Sequence, residues 1–230
     1  MSFLAKLFGL NQKATVSKDV VIQATQENHL SNETNFLELI KKRRSIYSIG
    51  KNLKHTPSEI EELIQEAVKH SPSAFNSQSS RVVILFNQSH ENFWNIVLDV
   101  LKTIVPAEAL AGTEQKIQSF AAGAGTVLFF EDQDVIKGLQ EQFELYADNF
   151  PVWSEHSTAI AQFTVWSVLA EQGLGASLQH YNPIIDEKVN TTFNIPIQWK
   201  LRAQLVFGSI EGQAGEKAFI EDESRFKTFG

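Results

Sequence analysis

Residues 153–172 read WSEHSTAIAQFTVWSVLAEQ. Apolar side chains at Ala159, Ile160, Phe163, Val165, Trp166, Val168 and Leu169 fall nearly all round a helix instead of along one stripe. A helix with that pattern belongs at the centre of a fold, not on its surface. Gly173 follows it and suits the left-handed position that ends a helix. Working outward, the downstream chain predicts an extended piece at Ala176–Gln179, a helix near Ile184–Phe193 and a strand at Leu201–Phe207. Upstream, strands are expected at Arg81–Phe86 and Gly125–Phe130, and helices at Asn92–Val105, Pro106–Ala122 and Val135–Asp148. Thr56-Pro57-Ser58-Glu59 carries a cap, a first-turn proline and a capping-box acid. Behind it, Ile60, Leu63, Ile64, Ala67 and Val68 share one face. Phe36, Leu37, Ile40 and Arg44 follow helical spacing and end in the basic run Lys41-Lys42-Arg43-Arg44, where positive charge complements the macrodipole. Strands separated by helices imply a layered α/β or α+β domain. The polar stretch Asn11–Thr34 resembles a linker, so residues 1–34 are expected to form an extension and 35–230 the domain.

The chain has 230 residues, of which 43% are hydrophobic and 10% aromatic. About 70% of its unfolded surface can be buried at this length, enough for one sizeable core. Twenty Lys+Arg against 27 Asp+Glu give a net charge of −7, which argues against binding along a nucleic-acid backbone. No apolar run approaches the roughly 20 residues that span a bilayer, so no membrane role is expected. The absence of cysteine removes disulfides, thiolate nucleophiles and cysteine-ligated metals, and fits a reducing compartment. Met1–Leu10 lacks the pattern of a secretory signal. It reads either as a short helix docking on a partner subunit or as a loosely held terminus. A cytoplasmic location is therefore expected.

Searches for a phosphate-binding P-loop, a dinucleotide fingerprint, a nucleophile elbow and an H-E-x-x-H metal site return nothing. Histidines at 29, 55, 70, 90, 156 and 180 lack ligand spacing, and Asp132 and Asp134 read as helix-start acids. Three features remain. Arg43-Arg44-Ser45 sets forked guanidinium donors beside a hydroxyl, the donor set an anionic phosphate needs; a solvated helix end is the other reading. Pro72-Ser73-Ala74-Phe75-Asn76-Ser77-Gln78 is dense in amides and hydroxyls around an aromatic ring. It can read the edge of a planar heterocycle, or serve as a plain polar connection. Gly173–Pro183 is rich in small residues that let another group approach the backbone, or simply caps a helix before a strand.

In this order and spacing these segments resemble the nitroreductase family of flavin-dependent oxidoreductases, with the closer likeness to its fungal-type subgroup and bacterial relatives. The residues carrying the resemblance are Arg43–Tyr47, Ser71–Arg81, Gly125–Asp132, Phe150–Ser157 and Leu174–Pro183, within a match from Phe36 to Phe229. It implies an α+β sandwich, a central mainly antiparallel sheet covered by helices, in an entwined homodimer with FMN at each of two interface sites. Arg43 would hold the FMN phosphate, with Arg44 and Ser45 beside it. Asn76, with Ser77 and Gln78 nearby, would bond the isoalloxazine or ribityl edge. Leu178, Gln179 and His180 would pack near the flavin N5, and either Lys217 or Arg225 would return to the phosphate. The implied activity is ping-pong transfer of electrons from NADH or NADPH, through FMN, to small planar acceptors such as nitroaromatics or quinones. The cofactor carries the redox chemistry, which agrees with the missing catalytic motifs.

Two departures from the family pattern stand out. Tyr47 occupies a position near the flavin pyrimidine where many members have Lys or Arg, and Ser177-Leu178-Gln179-His180 replaces a Pro- and Gly-containing segment. The first is compatible with another function, an FMN-binding regulatory protein with little turnover. A cofactor-free interaction protein with a helical dimer core is a third class.

Overall fold

The computed structural model describes residues 35–230. The docking helix or loose terminus, and the linker, expected within 1–34 lie outside the described residues. Asn35 caps helix α1 (Phe36–Lys42) by accepting the Leu37 N–H at 2.9 Å. The helix ends at Lys42, short of the expected Arg44, because Arg43 turns extended. A two-residue strand, β1 (Ile49–Gly50), follows, too short to leave a periodic signal. Helix α2 (Pro57–Lys69) starts on the expected capping box. Thr56 Oγ1 accepts the Glu59 N–H at 3.3 Å, and Glu59 Oε2 accepts the Thr56 N–H at 2.7 Å. Its buried face is Ile60, Ile64 and Ala67; each of the two isoleucines contributes about 1.5–3 kcal/mol by leaving water.

Strand β2 (Ser80–Phe86) is followed by α3 (Asn87–Leu101), α4 (Ala107–Ala121), β3 (Gly125–Asp132), α5 (Gln133–Gln142), α6 (Phe150–Glu171) and β4 (Gly175–Gln179). The chain continues through α7 (Asp186–Phe193), β5 (Trp199–Ile210) and the four-residue α8 (Asp222–Arg225). Helix α3 starts earlier than the predicted Asn92, because Asn87 takes a left-handed step (φ 50°) that turns the strand directly into the helix. The single helix expected over Val135–Asp148 divides. It stops at Gln142, and a 3₁₀ stretch runs from Glu144 to Asn149, because the Phe143 ring turns inward to pack 5.0 Å from Phe75. Gly173, at φ 75°, ends α6 as expected.

The sheet runs β1-β5-β3-β2, with β4 also on β5, and every named pair is antiparallel. Every residue of β3 is buried, and its side chains alternate between two cores. Leu128 and Phe130 join the core beneath α3, α4 and α7, with Phe93, Trp94, Ile117, Phe120 and Val189. Val127 and Phe129 face α2 and α6, with Ile60, Ile64, Val165 and Leu169. A strand buried on both faces reads as a continuous apolar run, which is how Gly125–Phe130 was visible in sequence.

Opposite Phe129 and Phe130 the register jumps from Ala203 to Leu201. Arg202 is the extra residue of a β-bulge. The bulge explains why Leu201 lies in the first core while Ala203 and Leu205 lie in the second. At the far end of β5, a Cβ on Gly208 would sit 2.2 Å from the Gly50 carbonyl oxygen, so only glycine lets β1 close there.

Candidate functional site

Arg43 leaves the end of α1 and lays its guanidinium against the central helix. The charged carbon sits 4.3 Å from the Trp166 ring and 6.0 Å from Phe163. Its Nε is buried with no hydrogen-bond partner. Burial, and then the neighbouring Arg44, pull its pKa below the ordinary arginine value. A desolvated guanidinium with a free donor is a seat for an anion. Arg44 takes a different part: its Nη2 donates to the Gly215 carbonyl at 2.7 Å and ties down the chain after β5. An open cleft of roughly 540 Å³ results, lined by Arg43, Arg44, Ser45, Tyr47, Gln213, Gly215 and Lys217 among others.

Of the two tail cations expected to return to this place, Lys217 lines the cleft. Arg225 is not among the lining residues and lies in α8 with its guanidinium 5.6 Å from the Phe226 ring. The Ile46 N–H donates to the Ala176 carbonyl at 3.0 Å, and Ser45 bridges Ala176 in parallel. That bridge brings the Arg43–Tyr47 segment against β4, the strand bearing Leu178 and Gln179. Leu178 is half-buried against the core of α2 and α6, Gln179 is buried with its Nε2 donating to Ser177 Oγ at 3.1 Å, and His180 is exposed.

The polar loop after α2 forms a separate feature. Phe75, Asn76 and Gln78 all hold left-handed backbone, at φ 58°, 50° and 47°. Each such non-glycine residue costs on the order of 1–3 kcal/mol and persists only where its surroundings over-determine it. The Phe75 ring supplies part of that. It lies 5.9 Å from Trp153 in a stacked arrangement and 5.4 Å from Phe150 edge-on. Hydrogen bonds supply more: Gln78 N–H to Ser73 Oγ at 3.0 Å, Ala74 N–H to Ser157 Oγ at 3.4 Å, and Arg81 Nη1 to the Gln78 carbonyl at 2.5 Å. Asn76 and Gln78 are exposed and Ser77 is half-buried. Gln78 lines a cleft of about 220 Å³ with Ser73, Ser80, Arg81 and Ser157, distinct from the Arg43 cleft.

Of the residues singled out in the sequence, Arg43, Arg44, Ser45, Tyr47 and Lys217 line one cleft, whereas Asn76, Ser77, Gln78, Leu178, Gln179, His180 and Arg225 are not among its lining residues. Sequence reasoning missed Trp166 and Phe163 as the platform under Arg43, and Gln213–Gly215 as the opposite wall. The first two were visible only as helix-core residues, and the tail carried no period at all. Among the described residues no group of three His, Asp or Glu side chains is placed to hold a metal ion. Likewise, no helix there is long and apolar enough to cross a membrane.

Comparison with known proteins bears on the whole arrangement. The profile of the Nitroreductase family matches residues 40–209. The chain is 36% identical over 190 residues to HBN1 of Saccharomyces cerevisiae, covering 82% of this chain and 94% of that one. The nitroreductase CinD of Lactococcus lactis, solved in complex with chloramphenicol and with 4-nitrophenol, is similar in structure. For the chloramphenicol complex the TM-score is 0.79 at 50% identity, over 85% of this chain and 100% of CinD. A nitroreductase with bound FMN from Desulfitobacterium hafniense shares the fold at 14% identity. Its TM-score is 0.62, over 85% of this chain and 98% of that one.

Proposed function

The chain belongs to the nitroreductase family, and from that premise we propose that it is an FMN-dependent oxidoreductase drawing on NADH or NADPH and reducing small planar acceptors, nitroaromatics and quinones among them, in the cytoplasm. The observation that carries the proposal is the Arg43 cleft. A buried guanidinium nitrogen without an acceptor, beside Ser45 and Lys217, fits a terminal phosphate. Bound FMN would supply hydride acceptance and donation at N5.

The protein's part is to hold and orient. Arg43 and Lys217 neutralise the phosphate, and Ser45 adds a small donor. Arg44 holds the wall that carries Gly215, and Tyr47 offers a phenol hydroxyl in place of the family's cation. Asn76, Ser77 and Gln78 offer amide and hydroxyl groups to the flavin edge. Those loop residues do not line the Arg43 cleft within one chain. A homodimer in which the loop of one copy meets the cleft of its partner unites the two halves. The open apolar positions Ile160 and Phe163 on α6 provide a face for it. The complexes of CinD with chloramphenicol and 4-nitrophenol support aromatic nitro compounds as the first acceptors to try.

The test is the visible spectrum of the purified protein, recorded aerobically and then anaerobically after adding NADH or NADPH. Flavin bands that bleach with a nucleotide and recover with 4-nitrophenol are the expected result. Bands that never bleach overturn the enzyme reading in favour of an FMN-binding regulatory protein, and failure to take up added FMN overturns the cofactor reading as well.

A further inference from the structure

Glu131 is fully buried near the end of β3, directly after the apolar run Val127–Phe130. Its two carboxyl oxygens are used separately. Ser79 Oγ donates to Oε2 at 2.5 Å and Ser80 Oγ donates to Oε1 at 2.5 Å. Both serines sit where the strained loop enters β2, and Ser80 is paired in register with Glu131. The backbone repeats the link, the Asp132 N–H donating to the Ser79 carbonyl at 3.0 Å. The grip extends into the loop, because Ser77 Oγ lies 3.5 Å from Ser79 Oγ. A carboxyl group buried here costs free energy that an apolar residue would not. Glu131 lines neither the Arg43 cleft nor the cleft beside Gln78.

We infer that Glu131 is the positioning residue of the 73–78 loop, its carboxylate holding the Ser79 and Ser80 hydroxyls so that the left-handed steps at Asn76 and Gln78, and Ser77 between them, keep the geometry in which these three residues meet the flavin. The inference rests on the flavin reading only for its last clause. Two charged groups face the carboxyl from other elements, Arg202 of β5 and Glu155 of α6. Arg202, re-aimed by its bulge in β5, pairs with Glu155 of α6, and its Nε is buried without a partner. Arg81 of β2 is taken up by Asp132, 3.0 Å away. Burial raises the Glu131 pKa first, Ser79 and Ser80 then lower it, Glu155 raises it and Arg202 lowers it; the balance is a carboxyl that protonates above the usual glutamate range. A neutral carboxyl accepts at one oxygen and must donate at the other, so one serine hydroxyl turns its own proton away and both bonds lose their charge assistance; the grip weakens on acidification.

The experiment compares the full chain with Glu131→Gln and Ser79→Ala by two readouts. Hydrogen exchange reports the amides of residues 74–78, and quenching of FMN fluorescence gives the dissociation constant from neutral to acid pH. Faster loop exchange is expected in both variants. Roughly tenfold weaker FMN binding at neutral pH, from the loss of one charge-assisted acceptor, is expected as well. The FMN phosphate itself gains a proton at about pH 6, so affinity falls on acidification in both proteins, and the fall is steeper in wild type than in Glu131→Gln, a difference that a merely structural side chain would not produce. Wild-type loop exchange in both variants, or an unchanged pH profile in Glu131→Gln, overturns the inference. If Glu131→Gln does not fold, Ser79→Ala decides by the same exchange criterion. A wild-type protein that takes up no FMN overturns the flavin reading; loop exchange then still supports or overturns the role of Glu131.

Discussion

His90 is buried between helix α3 and the start of β3. Its Nδ1 lies 2.8 Å from Thr126 Oγ1, its Nε2 lies 3.3 Å from the Ala121 carbonyl, and the Trp94 indole N–H donates to the same Thr126 oxygen at 3.0 Å. The Ala121 carbonyl requires a proton on Nε2, so Nδ1 accepts from the threonine hydroxyl and the ring is neutral. Burial is the main cause that lowers its pKa from 6.5 to about 4. The unfolded chain therefore binds the extra proton between those values, and stability falls as pH drops from 6.5 towards about 4. The full loss is roughly 3 kcal/mol. Glu131 and Asp186, whose carboxyls are raised chiefly by burial, work in the opposite sense. Comparing urea midpoints of wild type and His90→Gln across that range isolates the histidine; the variant should show the shallower acid loss. At the Arg43 cleft, the proposed FMN site predicts that Arg43→Ala weakens FMN binding by about 1.5–3 kcal/mol, the worth of a hydrogen bond to a charged group. Lys217→Ala should weaken it in the same direction and Arg225→Ala should leave it alone. Fluorescence titration of the three variants checks the assignment, and an unchanged constant in Arg43→Ala removes that residue from the clamp.

Elements were legible wherever a local rule governed them. The capping box at Thr56–Glu59 was readable because its partners are three residues apart. Thr56→Ala should cost about 1 kcal/mol in a urea melt without changing the m-value. The central helix was readable from its apolar circumference, yet its surroundings are uneven. Ala161, Val165 and Leu169 are buried while Ile160 and Phe163 are 39% and 36% exposed. The division of Val135–Asp148 was not readable, because the Phe143 ring answers to Phe75, which is remote in sequence. Nor was the bulge at Arg202, since it is a property of the pairing between β3 and β5.

At the scale of the molecule, apolar side chains are exposed on α6 at Ile160 and Phe163 and in the tail at Phe219, Ile220, Phe226 and Phe229. The proposed homodimer would cover apolar groups of this kind. The expected assembly is a homodimer, checked by light scattering on a sizing column. Ile160→Glu, outside the Arg43 platform of Phe163 and Trp166, should shift it toward monomer and lower FMN affinity together, because the proposed site draws its loop and its cleft from different copies. A monomeric wild type that binds FMN with full affinity would remove the composite site.

The amino-acid order alone determined the helices with periodic faces, the doubly buried strand at Gly125–Phe130, and the chemical character of Arg43–Ser45 and of the 72–78 loop. All of these depend on neighbours within a few residues or on side-chain chemistry itself. Tertiary structure decided which distant pieces meet. Ser45 lies against Ala176, Arg43 against Trp166, Arg44 against Gly215, and Ser79 and Ser80 against Glu131. It also put Lys217, and not Arg225, beside Arg43 and Arg44 in the cleft lining. Such contacts arise from strand register, a bulge and the packing of one helix, and they leave no periodic trace along the chain.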